Sequence, residues 1–184
     1  MHAHNPDSIF FGVMRELEWD QYYVKPKSGA AGYFCMDLPK MKLRDVAEHL
    51  KKKLGLNGLK YMGDLDKEVS RVAIVGHLFP GFMGTDEIGE DGFYHDFAME
   101  LMKAMEEDGV EVIIPGEIIE WTVLAYIRDA IEMGKNMSCL SIGHFNVEEL
   151  GMKDFADRIR EQIADVEDAP EVIYIPTEDG FNYM

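Results

Sequence analysis

Three polar groupings in this chain stand where short apolar runs end. The first is Ser141-Ile142-Gly143-His144-Phe145-Asn146-Val147-Glu148-Glu149, which presents His144 and Glu148 four residues apart. That spacing lets an imidazole and a carboxylate converge on one divalent cation if the turn bends toward a sheet edge. The same residues also suit a plainer reading, with His144 bonded to a loop carbonyl, Asn146 capping a helix and Glu148 favoured by that helix's N-terminus. The second is Val75-Gly76-His77-Leu78-Phe79-Pro80-Gly81-Phe82, a loop after an apolar run, where His77 sits as a ligand or general base would. Its alternative is a loop histidine packed on aromatic rings. The third, Ile114-Pro115-Gly116-Glu117, sets Glu117 at the entrance to a helix containing Trp121, as an acid–base group or as a cap. His2 and His4 have an i, i+2 spacing that can hold a metal, although histidines near a terminus are more often solvated.

Such groups act together only if the fold gathers them. Val72–Val75, Val110–Ile114, Cys139–Ile142 and Val172–Ile175 are short apolar, largely β-branched runs, which predicts four strands buried on both faces. Helical periodicity lies between them, on Phe93, Phe97, Leu101 and Ala104, on Leu124, Ile127 and Ile131, and on Met152, Phe155, Ile159 and Ile163. Earlier in the chain, Asp7 and Ser8 precede a helical stripe of Phe10, Val13, Met14 and Leu17. Gly32–Met36 reads as extended, and Leu43, Val46, Ala47, Leu50 and Leu54 form an amphipathic helix stopped by Gly55. Alternation of strand and helix predicts an α/β fold, a mixed or parallel sheet with helices packed on it. In such sheets ligands collect at the carboxyl ends of the strands, where all three groupings fall. The expected organisation is one domain over residues 1–184, with 1–60 an N-terminal segment and 61–184 the main α/β unit. Leu56–Glu68 reads as the weakest join, and Thr85–Gly92 as a solvated acidic loop lacking an EF-hand register.

Composition narrows the function classes. A chain of 184 residues with 47% hydrophobic content can bury a real core. Its formal charge of −17 repels phosphate backbones and anionic lipid, which disfavours nucleic-acid or membrane-surface partners. Cys35 and Cys139 make neither a disulfide framework nor a metal pair, and read as reduced core thiols in a cytoplasmic protein. The N-terminus lacks the pattern of a signal peptide, and no apolar run is long enough for a membrane helix. There is no P-loop, no Gly-x-Ser-x-Gly turn and no dinucleotide glycine fingerprint.

The order of segments adds a resemblance. The aromatic segment after Gly32, the helix end Lys53-Leu54-Gly55-Leu56, Tyr61-Met62-Gly63-Asp64, Arg71–Gly76, Gly116-Glu117 and Gly143-His144-x-x-x-Glu148 together resemble the NGG-interacting-factor-three (NIF-three) family over about residues 9–176. The resemblance is strongest to that family's C-terminal half. It implies a duplicated α/β protein labelled GTP cyclohydrolase-like, a dinuclear metal site with His144 and Glu148 as ligands, and a dimer or ring of dimers. The sequence departs from the family pattern in lacking an N-terminal half with its His-His-Pro segment, in replacing a Gly-Ser-Gly turn by Gly76–Gly81, and in placing Pro115 before Gly116-Glu117. His77, or His2 and His4, are the residues available to substitute. Two functions follow as expectations. One is a metal-dependent hydrolase of a small molecule, for which the family label suggests a nucleotide, using zinc, iron or manganese, with His77 or Glu117 as acid–base partner. The other is a non-catalytic, oligomeric metal-binding or interaction protein with an incomplete site.

Overall fold

Alternate residues of the central strands are apolar on both sides, so each strand must face two cores at once. In the computed structural model, which describes residues 7–29, 32–79, 81, 87–177 and 179–184, that is what occurs. The sheet contains β1 (Tyr23–Val24), β2 (Tyr33–Lys42), β3 (Lys60–Met62), β4 (Glu68–Leu78), β7 (Val112–Ile118) and β8 (Ser138–Ser141), in the spatial order β1-β2-β4-β7-β8-β3. The three inner strands β4, β7 and β8 run parallel, β2 and β3 pair antiparallel to them on either side, and β1 pairs antiparallel with β2. The sheet is therefore mixed.

Five α-helices cover it among the described residues: α1 (Ser8–Glu16), α2 (Leu43–Leu54), α3 (Phe97–Glu107), α4 (Ala125–Glu132) and α5 (His144–Gln162). Phe34, Met36, Val72, Ile74, Val112, Ile114 and Leu140 enter one core with α1, α2 and the start of α5. The neighbours of opposite parity, including Cys35, Ala73, Val75, Ile113 and Cys139, enter a second core with α3 and α4. Period two in the strands has sorted the chain into helix, sheet and helix layers. Cys35 and Cys139 are free and buried, and burial pushes each thiol up to about 12, so neither is a thiolate at neutral pH.

Several local expectations change. Val172–Ile175 forms no strand: Ile173 and Ile175 stay exposed, and Tyr174 instead reaches Glu149 of α5. The expected loop over 56–68 contributes β3, an outer strand too short to show periodicity. Phe93 lies outside α3, in the turn of a two-stranded hairpin, β5 (Glu87–Ile88) with β6 (Tyr94–His95), so part of the acidic stretch is ordered. Leu124 ends a π-helical turn, Glu120–Leu124, that precedes α4. Asn146 lies within α5 and its side-chain amide donates to Ile142 O at 2.6 Å, so it is not the residue that caps the helix. His2 and His4 fall outside the described residues, as do Pro80 and Phe82–Asp86.

Two devices fix the helices. Helices α1 and α5 cross at glycine: a Cβ on Gly12 would sit 2.8 Å from Leu150 O, and one on Gly151 would sit 2.5 Å from the Ile9 Cα. Arg15 closes the crossing on the buried carboxylate of Asp154 at 2.9 Å. On the opposite side, Asp108 after α3 is 3% exposed and accepts from the amides of Lys27 and Ser28 at 2.7 and 3.0 Å, from the Ser28 hydroxyl and from Tyr33. Burial alone would raise its carboxyl, but hydrogen bonds from Tyr33, Ser28 and Lys27 outweigh this and hold it below the ordinary carboxylate range.

Gly151→Val should destabilise the fold by about 2 kcal/mol or more, because the added methyls meet backbone that cannot move without parting the two helices; urea midpoints check this. Asp108→Asn should cost about 1–3 kcal/mol at neutral pH by weakening its charge-assisted bonds. The wild-type advantage belongs to the ionised form. It is full above the unfolded carboxyl's pKa and vanishes as pH falls through the folded one, so the two urea curves should converge in acid.

Candidate metal centre

Parallel pairing of β4 with β7 sets His77 directly beside Glu117 in the ladder. Both residues lie inside strands, at their carboxyl ends, which corrects the expected loop position of His77 and the expected helix-entrance position of Glu117. The capping alternative for Glu117 falls with it. One strand further along, β8 ends at Ser141 and α5 opens with His144, so Glu148 stands one turn into that helix. The three carboxyl ends bring all four side chains to one point of the sheet.

Their arrangement alternates imidazole and carboxylate. His77 Nδ1 lies 3.3 Å from Glu117 Oε2 and His77 Nε2 lies 3.5 Å from Glu148 Oε1. His144 Nδ1 lies 2.8 Å from the same Glu117 oxygen, and His144 Nε2 lies 3.8 Å from Glu148 Oε1. The two rings are tilted at 46° to each other with centroids 4.9 Å apart. His77, Glu117 and His144 can each offer one ligand atom such that all three lie within 4.8 Å of one another. Side-chain exposure rises from 12% at His77 through 31% at Glu148 and 43% at Glu117 to 49% at His144, so the group is anchored in the sheet and opens to solvent.

The chemistry of this donor set fits a cation. A neutral imidazole carries one N–H, which at Nδ1 of each ring reaches Glu117 Oε2, and the second ring nitrogen keeps a lone pair that a cation can take. With neutral rings the four groups sum to a charge of about −2, which a divalent ion balances. Two imidazoles with two carboxylates suit zinc, iron or manganese. For Glu117, partial burial is the largest single influence and raises the carboxyl, but hydrogen bonds and charge from His144 and His77 together bring it below the ordinary carboxylate range. It is a ready anion at neutral pH.

Close approach of the layers depends on the residues just before the strand ligands. A Cβ on Gly76 would sit 2.4 Å from the Phe10 ring of α1, and one on Gly116 would sit 2.8 Å from Val147 of α5 and 3.0 Å from Gly76 O. Glycine at 116 therefore lets α5 settle low enough on the sheet for His144 and Glu148 to reach residues of β4 and β7. One signal for this was legible beforehand: Gly76-His77, Gly116-Glu117 and Gly143-His144 each end an apolar run with glycine and a potential ligand.

Other titratable clusters lie elsewhere. His95 contacts Asp91 at 3.1 Å and Glu100 at 3.3 Å, and these hydrogen bonds raise its pKa above the usual imidazole value. His49 stacks on Trp19 and sits 3.0 Å from Leu17 O, a structural role.

Residues 97–179, which contain Glu117, His144 and Glu148, match the family model DUF34/NIF3 (NGG1p interacting factor 3). The C-terminal portion of this chain is NIF3-like. A curated relative from Clostridium perfringens, named GTP cyclohydrolase 1 type 2 homolog, is 29% identical over 128 residues, covering 69% of this chain and 39% of its own length. The fold resembles that of a Bacillus cereus protein related to NIF3, at a TM-score of 0.59 and 21% identity, covering 83% of this chain and 36% of that one. A Staphylococcus aureus protein is similar at a TM-score of 0.56 and 19% identity, covering 83% of this chain and 42% of that one. The NIF3-like chain thus spans less than half the length of each of these three proteins. No helix among its described residues is long and apolar enough to cross a membrane.

Proposed function

We propose that this chain is a divalent-cation-binding protein of NIF3-like type and that the bound cation serves hydrolysis of a small molecule. The observation that supports it is the convergence of His77, Glu117 and His144, whose ligand atoms all lie within 4.8 Å of one another, with Glu148 beside both rings. His77, Glu117 and His144 supply the converging ligand atoms, and Glu148 closes the ring against both Nε2 atoms. A divalent ion held by these residues would supply Lewis-acid activation of water. The chain's own residues do the rest. The β4–β7 ladder fixes the His77 and Glu117 backbones, while α5 orients His144 and Glu148. Any carboxylate oxygen or ring nitrogen that does not bind the ion can accept a proton from water or hold the opposite imidazole in place, as partners of metal-bound histidines do.

The name of the Clostridium perfringens relative makes nucleotides the first substrates to assay. A non-catalytic cation-binding role is the second reading, since the convergence of His77, Glu117 and His144 speaks to holding an ion and not to a reaction. We also propose that the chain self-associates; Ile173, Ile175 and Phe181 expose apolar surface at 66%, 79% and 78%.

Elemental analysis of purified protein should find close to one equivalent of zinc, iron or manganese per chain, and His144→Ala should lower it at least about tenfold. Equal metal in both proteins would refute the site. Metal-loaded protein should hydrolyse at least one member of a nucleotide and phosphoester panel; silence with all three metals would leave the non-catalytic reading. Light scattering should give a mass above 21.0 kDa, and a monomer at that mass would refute self-association.

A further inference from the structure

We infer that Trp121 and Lys60 form a recognition rim for the cation site, Trp121 stacking a flat heteroaromatic ring and Lys60 taking an anionic group on the same small molecule. The inference rests on the reading of His77, Glu117, His144 and Glu148 as a cation site, and adds to it the class of ligand.

Both residues belong to the sheet edge where that site lies. The β4–β7 ladder ends with Ile119 N donating to Leu78 O at 3.2 Å, one residue past His77 on one strand and two past Glu117 on the other. The chain then enters the π-helical turn Glu120–Leu124, at whose start Val123 N donates to Ile119 O at 3.0 Å. Turns of this rare kind often occur at functional positions. Trp121 lies in it with 79% of its surface exposed. The other tryptophan, Trp19, is 4% exposed and stacked on His49. A large ring held in water beside a cation site gains from covering by another flat ring.

Lys60 reaches the same edge from the far side of β8. It pairs in register with Ser141, which precedes His144 by three residues, and its Nζ lies 3.1 Å from Glu120 Oε1, three residues beyond Glu117. Three residues of extended chain span at most about 10 Å, so the Lys60–Glu120 pair is bounded close to the site from both strands. Lys60 is 83% exposed and Glu120 64%, and an ion pair in water is cheap to break. Lys60 can therefore leave Glu120 for a phosphate or carboxylate. In a chain of net charge −17, a cation at this edge gives an anionic ligand a local point of attraction.

Because Trp19 is buried, changes in solvent-exposed tryptophan emission report Trp121. Full-length metal-loaded protein is titrated with guanosine monophosphate, guanosine and ribose 5-phosphate, and metal content is measured on the same samples. Guanosine monophosphate and guanosine should both alter Trp121 emission and its quenching by acrylamide, and ribose 5-phosphate should not. By calorimetry, Lys60→Met should weaken guanosine monophosphate about tenfold and leave guanosine unchanged. Trp121→Ala should weaken both about tenfold or more, with Trp121→Phe restoring most of the loss. All three variants should keep their metal. Unchanged emission at full metal content overturns the rim and leaves the cation site standing, whereas absence of bound metal overturns both. A Trp121→Ala protein that changes oligomeric state but not its affinity for guanosine monophosphate overturns the rim in favour of a contact between copies.

Discussion

Parallel pairing of β4 with β7 is the constraint on which the candidate site depends. Its register, Val72 with Val112 through Leu78 with Ile118, carries His77 to the side of Glu117 without any help from their own side chains. The ladder is held by backbone hydrogen bonds and by apolar residues of both parities, which feed two cores and leave the strands no freedom to slide. A slip of one residue would exchange those cores and also separate imidazole from carboxylate. The folding energy of the sheet and the geometry of the site are thus the same quantity viewed twice.

Helix α5 brings the second half of the ring, and its position is set by what is missing from the layers beneath it. Gly151 admits the backbone of α1, Gly116 admits Val147, and Arg15 seals the crossing on the buried Asp154. Side chains larger than hydrogen at these points would lift α5 and carry His144 and Glu148 away from the strand ends. Close packing of this kind transmits small displacements, so residues far from the site control its dimensions.

Electrostatics give the arrangement its purpose. Two carboxylates gathered at one sheet edge of a strongly acidic chain repel each other unless hydrogen-bond donors or a cation stand among them. The fold gathers them nevertheless and supports them with a sheet too rigid to let them part. Lys60 and Trp121 lie along the same edge and add a movable positive charge and an exposed ring to a centre otherwise dominated by acid.

Much of this was legible in the sequence. Continuous apolar, β-branched runs at 72–75, 110–114 and 139–142 pointed to strands buried on both faces, period 3.6 between them pointed to the covering helices, and an i, i+4 spacing placed His144 and Glu148 on one helical face. These are local properties, decided by the backbone's own repeat. The sequence misread Val172–Ile175 because a strand needs a pairing partner as well as β-branched residues, and partners are assigned by topology. It left His77, Glu117 and the His144 pair as separate groupings because His77 and Glu117 lie 40 positions apart and Glu117 and His144 lie 27 apart along the chain. Only the parallel register, which joins distant segments through hydrogen bonds that no local pattern encodes, turned three separate groupings into one ring.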